Sequence, residues 1–259
     1  GARALGTQVE AINDNPKVKA VLLVVRSPGG GVTASAAMFE EISKLRVPVV
    51  GWCDGICASG GMYILMAPSV KYIGVRAETI SGSIGVIAST ARFNRLLDYL
   101  RIDSETYKSG SLKDSGSPIR APTDEDRKYM QGLVDTLAAT FYKIVGDARK
   151  IADWPAVKSA RIFIGVEGVK VGLADAVMTK AEAIAKAKSL SQSQSIYTRE
   201  ELKKMSTAAD DGQVHRYRGA LQDVQAYAPF GDLPWLIEQL KEIRAGESVR
   251  FAYRLPYNF

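Results

Sequence analysis

The chain has 259 residues, 46% of them apolar and 24% charged, a globular balance that excludes disordered and fibrous classes. No stretch approaches the roughly 20 apolar residues of a membrane-spanning helix, and no signal-peptide pattern is present. The net charge of +6 permits contact with anionic surfaces such as phospholipid heads. The basic residues are scattered among acids, however, with no Arg/Lys block interleaved with aromatics, so nucleic-acid binding is not expected.

The sequence opens at Gly1, without methionine, directly into helical spacing over 2–13, which leaves room for an upstream strand or anchor. After the turn Asp14-Asn15-Pro16, Val18–Val25 is a nearly continuous apolar run suited to a strand buried on both faces of a parallel sheet. Ser27–Gly31 breaks that run. A helical pattern over 32–45, a strand over 48–52, a helix over 59–67 and a strand over 70–75 follow. Strand, glycine-rich turn and helix in repetition predict an α/β fold with right-handed crossovers. Beyond a loop at Ser81-Gly82-Ser83, the pattern predicts a helix over 89–101 and extended chain over 105–108, then a polar stretch, Ser109–Pro122. A long amphipathic helix over 123–150 opens with Thr123 and three acids, a capped and acid-biased start. Two further helices are expected near 166–171 and 180–188, then a linker at 192–195, helical patches such as 232–244, and the aromatic stretch Phe251-Ala252-Tyr253. The domain reading is thus a main domain over 1–190 and a C-terminal extension of unknown role over 191–259.

Three glycine-rich loops follow apolar strands: Ser27–Gly31, Ala58–Gly61 and Ser81–Gly85. Ligands bind beyond the carboxyl ends of strands in open α/β sheets, so the loops are expected to converge. The first lacks both nucleotide-binding glycine signatures. It reads either as a tight turn or as a presenter of backbone N–H groups to a developing oxyanion. Ser59, opening a helix between small residues, reads as an N-cap or as a nucleophile. The one histidine, His215, lies in the polar C-terminal segment, and a Ser-His-Asp triad would have to recruit it from there. Lysine can replace histidine as base only where desolvation disfavours its charged form. Lys113, in Ser109-Gly110-Ser111-Leu112-Lys113-Asp114, is either that base or a solvated surface charge. Cys53 and Cys57 stand alone as C-x3-C with no nearby histidine, so they read as packing residues, and neither metal nor cofactor is expected.

In order along the chain, VKAVLLVVRSPGGGV (18–32), CASGGMYI (57–64), TISGSIGVI (79–87) and YKSGSLKDSGSP (107–118), with GLADAV (172–177) as weaker support, resemble the signal peptide peptidase A, or protease IV, family. That family belongs to the Clp/crotonase-like superfamily, and the likeness covers most of 10–187. It implies a mostly parallel sheet built from repeated β-β-α and βαβ units and flanked by helices. It also implies a serine peptidase with a Ser-Lys dyad: Ser59 as nucleophile, Lys113 as base, Ser83 orienting the lysine, and Gly30 and Gly60 N–H groups as oxyanion hole. Implied substrates are cleaved signal peptides and other hydrophobic or unfolded peptides. The resemblance further implies a homo-oligomer whose sites are shared between subunits, held at the cytoplasmic membrane with its catalytic domain on the outer side. A phage-type capsid maturation protease, a crotonase-like acyl-CoA enzyme and an inactivated membrane scaffold are the alternatives.

Overall fold

The computed structural model describes residues 1–193 and 250–254. Helix α1 (Ala2–Asn13) leads into β1 (Val21–Ser27), α2 (Val32–Ser43), β2 (Val49–Ala58), α3 (Gly60–Leu65), β3 (Val70–Val75) and β4 (Ile80–Gly82). Next come α4 (Asn94–Leu100), α5 (Asp124–Ala148), α6 (Trp154–Lys158), β5 (Ile162–Ile164), α7 (Val166–Lys170), β6 (Ala176–Val177) and α8 (Lys180–Ser193). Strand β7 (Arg250–Arg254) runs parallel along the edge of β1, with Leu22 opposite Arg250. Among the described residues only β4 and β5 pair antiparallel, so the sheet is mixed but mostly parallel, as expected for the Clp/crotonase-like architecture. His215 and the expected helical patch 232–244 lie outside the described residues, as does most of the expected extension.

The apolar run of β1 is buried on both faces because helices cover both. Val21, Leu23 and Val25 point into one cluster with Val9, Ile42, Leu65 and Val145, whereas Leu22 and Val24 join Val50, Trp52, Ala183 and Ala187 of the other. This period of two within a continuous apolar run is the pattern of a doubly covered strand. Leu65 is 1% exposed and its side chain fills the space a Cβ on Gly51 would need. Truncating it by Leu65→Ala should cost about 2–5 kcal/mol in denaturant unfolding, with the m-value unchanged. A cost below ~1 kcal/mol would contradict this packing.

Strand β2 is longer than the expected 48–52 because it continues through an irregularity. Val49–Cys53 pairs with β3, while Ile56–Ala58 pairs with β4, and the register to β1 shifts between Val25 and Ser27. Gly55, at φ +86°, supplies the left-handed conformation within this bend. The expected loop at 81–83 holds the short strand β4, whose three residues show no periodicity of their own. The expected helix over 89–101 shrinks to α4, which buries no residue among the described residues, so little tertiary packing supports a longer helix. Helix α8 runs to Ser193, into the expected linker.

Candidate active site

The bend in β2 delivers Ala58 next to Gly82 in the register with β4. The residues that follow, Ser59 and Ser83, therefore leave two adjacent parallel strands side by side. Both have positive φ, 49° at Ser59 and 51° at Ser83, a conformation that costs a non-glycine residue about 1–3 kcal/mol. Ser59 donates its N–H to the Gly82 carbonyl at 2.8 Å, and Ser83 donates its own to the Arg161 carbonyl at 3.0 Å. Neither hydroxyl has a hydrogen-bond partner among the described residues. Ser59 caps α3 by position only, since its side chain makes no capping bond. The strained backbone thus turns a half-buried, unbonded hydroxyl out of the strand end.

The loop after β1 closes on this serine. A Cβ on Gly29 would stand 2.8 Å from the Ser59 Cβ, 3.1 Å from its Oγ and 2.8 Å from the Gly60 N, so only glycine at φ +109° fits. A Cβ on Gly60 would collide with the Ser35 Oγ and lie 3.2 Å from the Gly30 N. The N–H groups of Gly30 and Gly60 are therefore close neighbours beside Ser59, and neither donates to an acceptor among the described residues. Two free N–H groups at a strand end and a helix start suit an anionic oxygen. Of the residues singled out from sequence, Ser59, Ser83, Gly30 and Gly60 are brought together. Gly29, Ser27 and Ser35 were not singled out, and only the SPGGG string hinted at the first two.

Lys113 is bonded to none of them among the described residues. It is exposed and its Nζ has no hydrogen bond or ion pair among the described residues. It stands on an excursion between β4 and α5 that leaves Ile87, Tyr99, Leu100, Ile102 and Tyr107 exposed, Tyr107 by 90%. The loop bearing Lys113 is nevertheless anchored. Arg120 grips the Asp114 carboxylate with Nε at 2.7 Å and Nη2 at 2.8 Å, and its Nη2 also reaches Asp126 at 3.0 Å. Lys108 donates to Asp114 at 2.7 Å and Ser115 to Asp126 at 2.7 Å. Asp126 completes the capping box of α5 with Thr123. A cavity of about 190 Å³ lies between this excursion and α5, lined by Thr90, Arg92, Ser117 and Met130 among others, and none of the site residues lines it.

Hydrogen bonds from Arg120, then Lys108, hold the Asp114 carboxyl well below the usual carboxylate range. Arg120, then the Thr123 N–H and the Ser115 hydroxyl, do the same for Asp126. A depressed carboxylate stabilises the fold fully above its unfolded value, near ~3.9, and that contribution is lost as pH falls from there toward the folded value. Thermal melting should therefore drop as pH falls below about 4, and Asp126→Asn should flatten that acid limb. Arg120→Ala should raise hydrogen exchange across 108–117 with the sheet unchanged. Unaltered exchange there would mean that the network does not hold the loop.

Cys53 and Cys57 are free, buried thiols within the core. Burial, then a hydrogen bond with Cys53, pushes the Cys57 thiol well up, so it is protonated and unreactive at neutral pH. No group of three or more His, Cys, Asp or Glu side chains is gathered among the described residues.

Comparison with known proteins places the chain among peptidases by sequence. The model of peptidase family S49 matches residues 41–194, and the Clp protease model matches 2–78. The chain is 38% identical to a protein of Enterococcus faecium assigned as a signal peptide peptidase SppA, over 69% of this chain and 53% of that one. It is 36% identical to a protein of Methanocaldococcus jannaschii assigned as a protease, over 70% of this chain and 59% of the other. Protease 4 of Salmonella typhi is 30% identical over 74% of this chain and 31% of its own length. The chain thus spans between about half and three-fifths of the first two relatives.

Proposed function

The chain belongs to peptidase family S49, and from that premise we propose that it is a serine endopeptidase with a Ser-Lys dyad, cleaving remnant signal peptides or other hydrophobic, unfolded peptides. The observation that carries this reading is the unbonded Ser59 hydroxyl held beside the two free N–H groups of Gly30 and Gly60. Ser59 Oγ attacks the scissile carbonyl and passes its proton to Lys113. The carbonyl oxygen, now anionic, is taken up by the Gly30 and Gly60 N–H groups. Collapse of the tetrahedral species expels the amine, which receives the proton from Lys113. Water activated by the same lysine then hydrolyses the acyl-enzyme. Ser83, beside Ser59 and with its own hydroxyl unbonded among the described residues, orients the lysine amine.

Lys113 reaches this site from a neighbouring copy. Its exposure, its lack of a partner among the described residues and the apolar excursion that carries it support assembly as the step that completes the dyad. A lysine acts as base only when its amine is stripped of water, which docking against a second copy would accomplish. The assembly works at the outer side of the cytoplasmic membrane. No helix among the described residues is long and apolar enough to cross a membrane, so attachment would come from elsewhere in the protein or from partners. The domain reading is retained, 1–190 as the peptidase domain and 191–259 as an extension. A crotonase-like acyl-CoA enzyme would use the same pair of N–H groups, but it would have no need of a strained, free serine hydroxyl between them. Cleavage of a fluorogenic hydrophobic peptide tests the proposal; absence of turnover by the assembled wild-type protein, with binding of acyl-CoA in calorimetry, would reverse it.

A further inference from the structure

Resting on the peptidase reading, we infer that Ser27 and Ser35 are positioning residues that present the Gly30 N–H to the reacting oxygen. Ser27 ends β1 and is 4% exposed. Its Oγ accepts the Gly29 N–H at 3.1 Å. It is wedged against α3, since a Cβ on Gly61 would lie 2.8 Å from the Ser27 carbonyl oxygen and 3.3 Å from its Cβ. Ser35, 8% exposed in the first turn of α2, donates its Oγ to the Gly31 carbonyl at 3.1 Å. The same Oγ occupies the space where a Cβ on Gly60 would stand.

Two buried hydroxyls thus bond the loop on either side of Gly30 and leave the Gly30 N–H without an acceptor among the described residues. The neighbouring amide of Gly29 is consumed, whereas the Gly30 N, 3.2 Å from where a Cβ on Gly60 would stand, keeps its donor beside Gly60. A buried hydroxyl and a loop amide are costly to leave unbonded, which makes each bond persistent rather than incidental. Contact of Gly29 with Ser59 prevents the loop from receding, and contact of Ser35 with Gly60 fixes the spacing of the two donors. Donors held in place before reaction need no reorganisation when the oxyanion forms, and small misplacements are expensive. Neither serine touches the reacting atoms; both act through the loop.

The test compares wild type, Ser27→Ala, Ser35→Ala and Ser27→Cys in the assembled protein. Ser27→Ala should lower kcat by about tenfold to a hundredfold, short of the ~10²–10³ for deleting a donor outright, with KM steady. Affinity for a peptide aldehyde, whose adduct with Ser59 carries the oxyanion, should fall by the same factor, while affinity for the cleaved product peptide is unchanged. Ser35→Ala should show the same split. Ser27→Cys, whose sulfur accepts weakly, should show it in smaller measure and decides the matter if the alanine variant does not fold. Wild-type kcat and aldehyde affinity in these variants would overturn the inference, as would equal losses for aldehyde and product. Ser59→Ala is run alongside: if it still cleaves peptide, the peptidase reading itself has failed. If it is inert and the Ser27 and Ser35 variants are unaffected, only the positioning role falls.

Discussion

Ser59→Ala should reduce hydrolysis of a hydrophobic fluorogenic peptide by about 10⁴-fold or more while the protein still folds and assembles. The fold should survive because the Ser59 hydroxyl has no hydrogen-bond partner among the described residues and its N–H bond to Gly82 is made by backbone. Folding stability adds a second readout. Ser59 holds φ at 49°, which an alanine would also have to adopt, so Ser59→Ala should leave the melting temperature nearly unchanged. Glycine occupies that region freely, so Ser59→Gly should be equally inactive yet more stable by about 1 kcal/mol. Inactivity coupled to a gain in stability would mark the conformation as strain kept for chemistry. Retained activity in either variant would remove Ser59 as nucleophile.

The second large effect concerns Lys113. Lys113→Ala should lower kcat by about 10²–10⁴-fold, the range for loss of a positioned proton-transfer group. The exposed side chain has no bond to lose among the described residues, so the melting temperature should be unchanged. Mixing this variant with Ser59→Ala, under conditions that let subunits exchange, distinguishes the two ways of completing the dyad. If serine and lysine come from different copies around a head-to-tail assembly, random mixing makes about a quarter of the sites whole. Recovered activity near that fraction is the expected result. No recovery, with exchange verified by mass, would place the dyad within one chain and contradict the shared site.

Much of this was legible before any coordinates. The β-branched run of β1, the glycine-rich breaks and the helix starts marked the strand ends where a site belongs, and Ser59 sits at one of them. The Thr123 start of α5 was readable because a capping box is local chemistry. The shortest strands were not readable, although the five-residue α7 was expected near 166–171. Strands β4, β5 and β6 are three residues or fewer and owe their existence to neighbours supplied from elsewhere in the chain. Helix α4 failed in the opposite sense, since none of its residues is buried among the described residues and the helix shortens accordingly. The bend in β2 was hidden too, because residues 49–58 share their pairing between two different strands.

By itself the sequence determined that the fold is α/β, that glycine-rich loops end its strands, and that the motifs holding Ser59 and Lys113 resemble those of a serine peptidase family. Those are properties of residue order and local preference, which need no distant contact. Only the tertiary structure decided that Ser59 and Ser83 stand side by side and that Gly29 has no room for a side chain. It alone showed that Ser27 and Ser35 brace the loop between them, and that Lys113 is exposed and unpartnered among the described residues. Those facts depend on which strands are neighbours and in what register, and register is set by how the whole core closes.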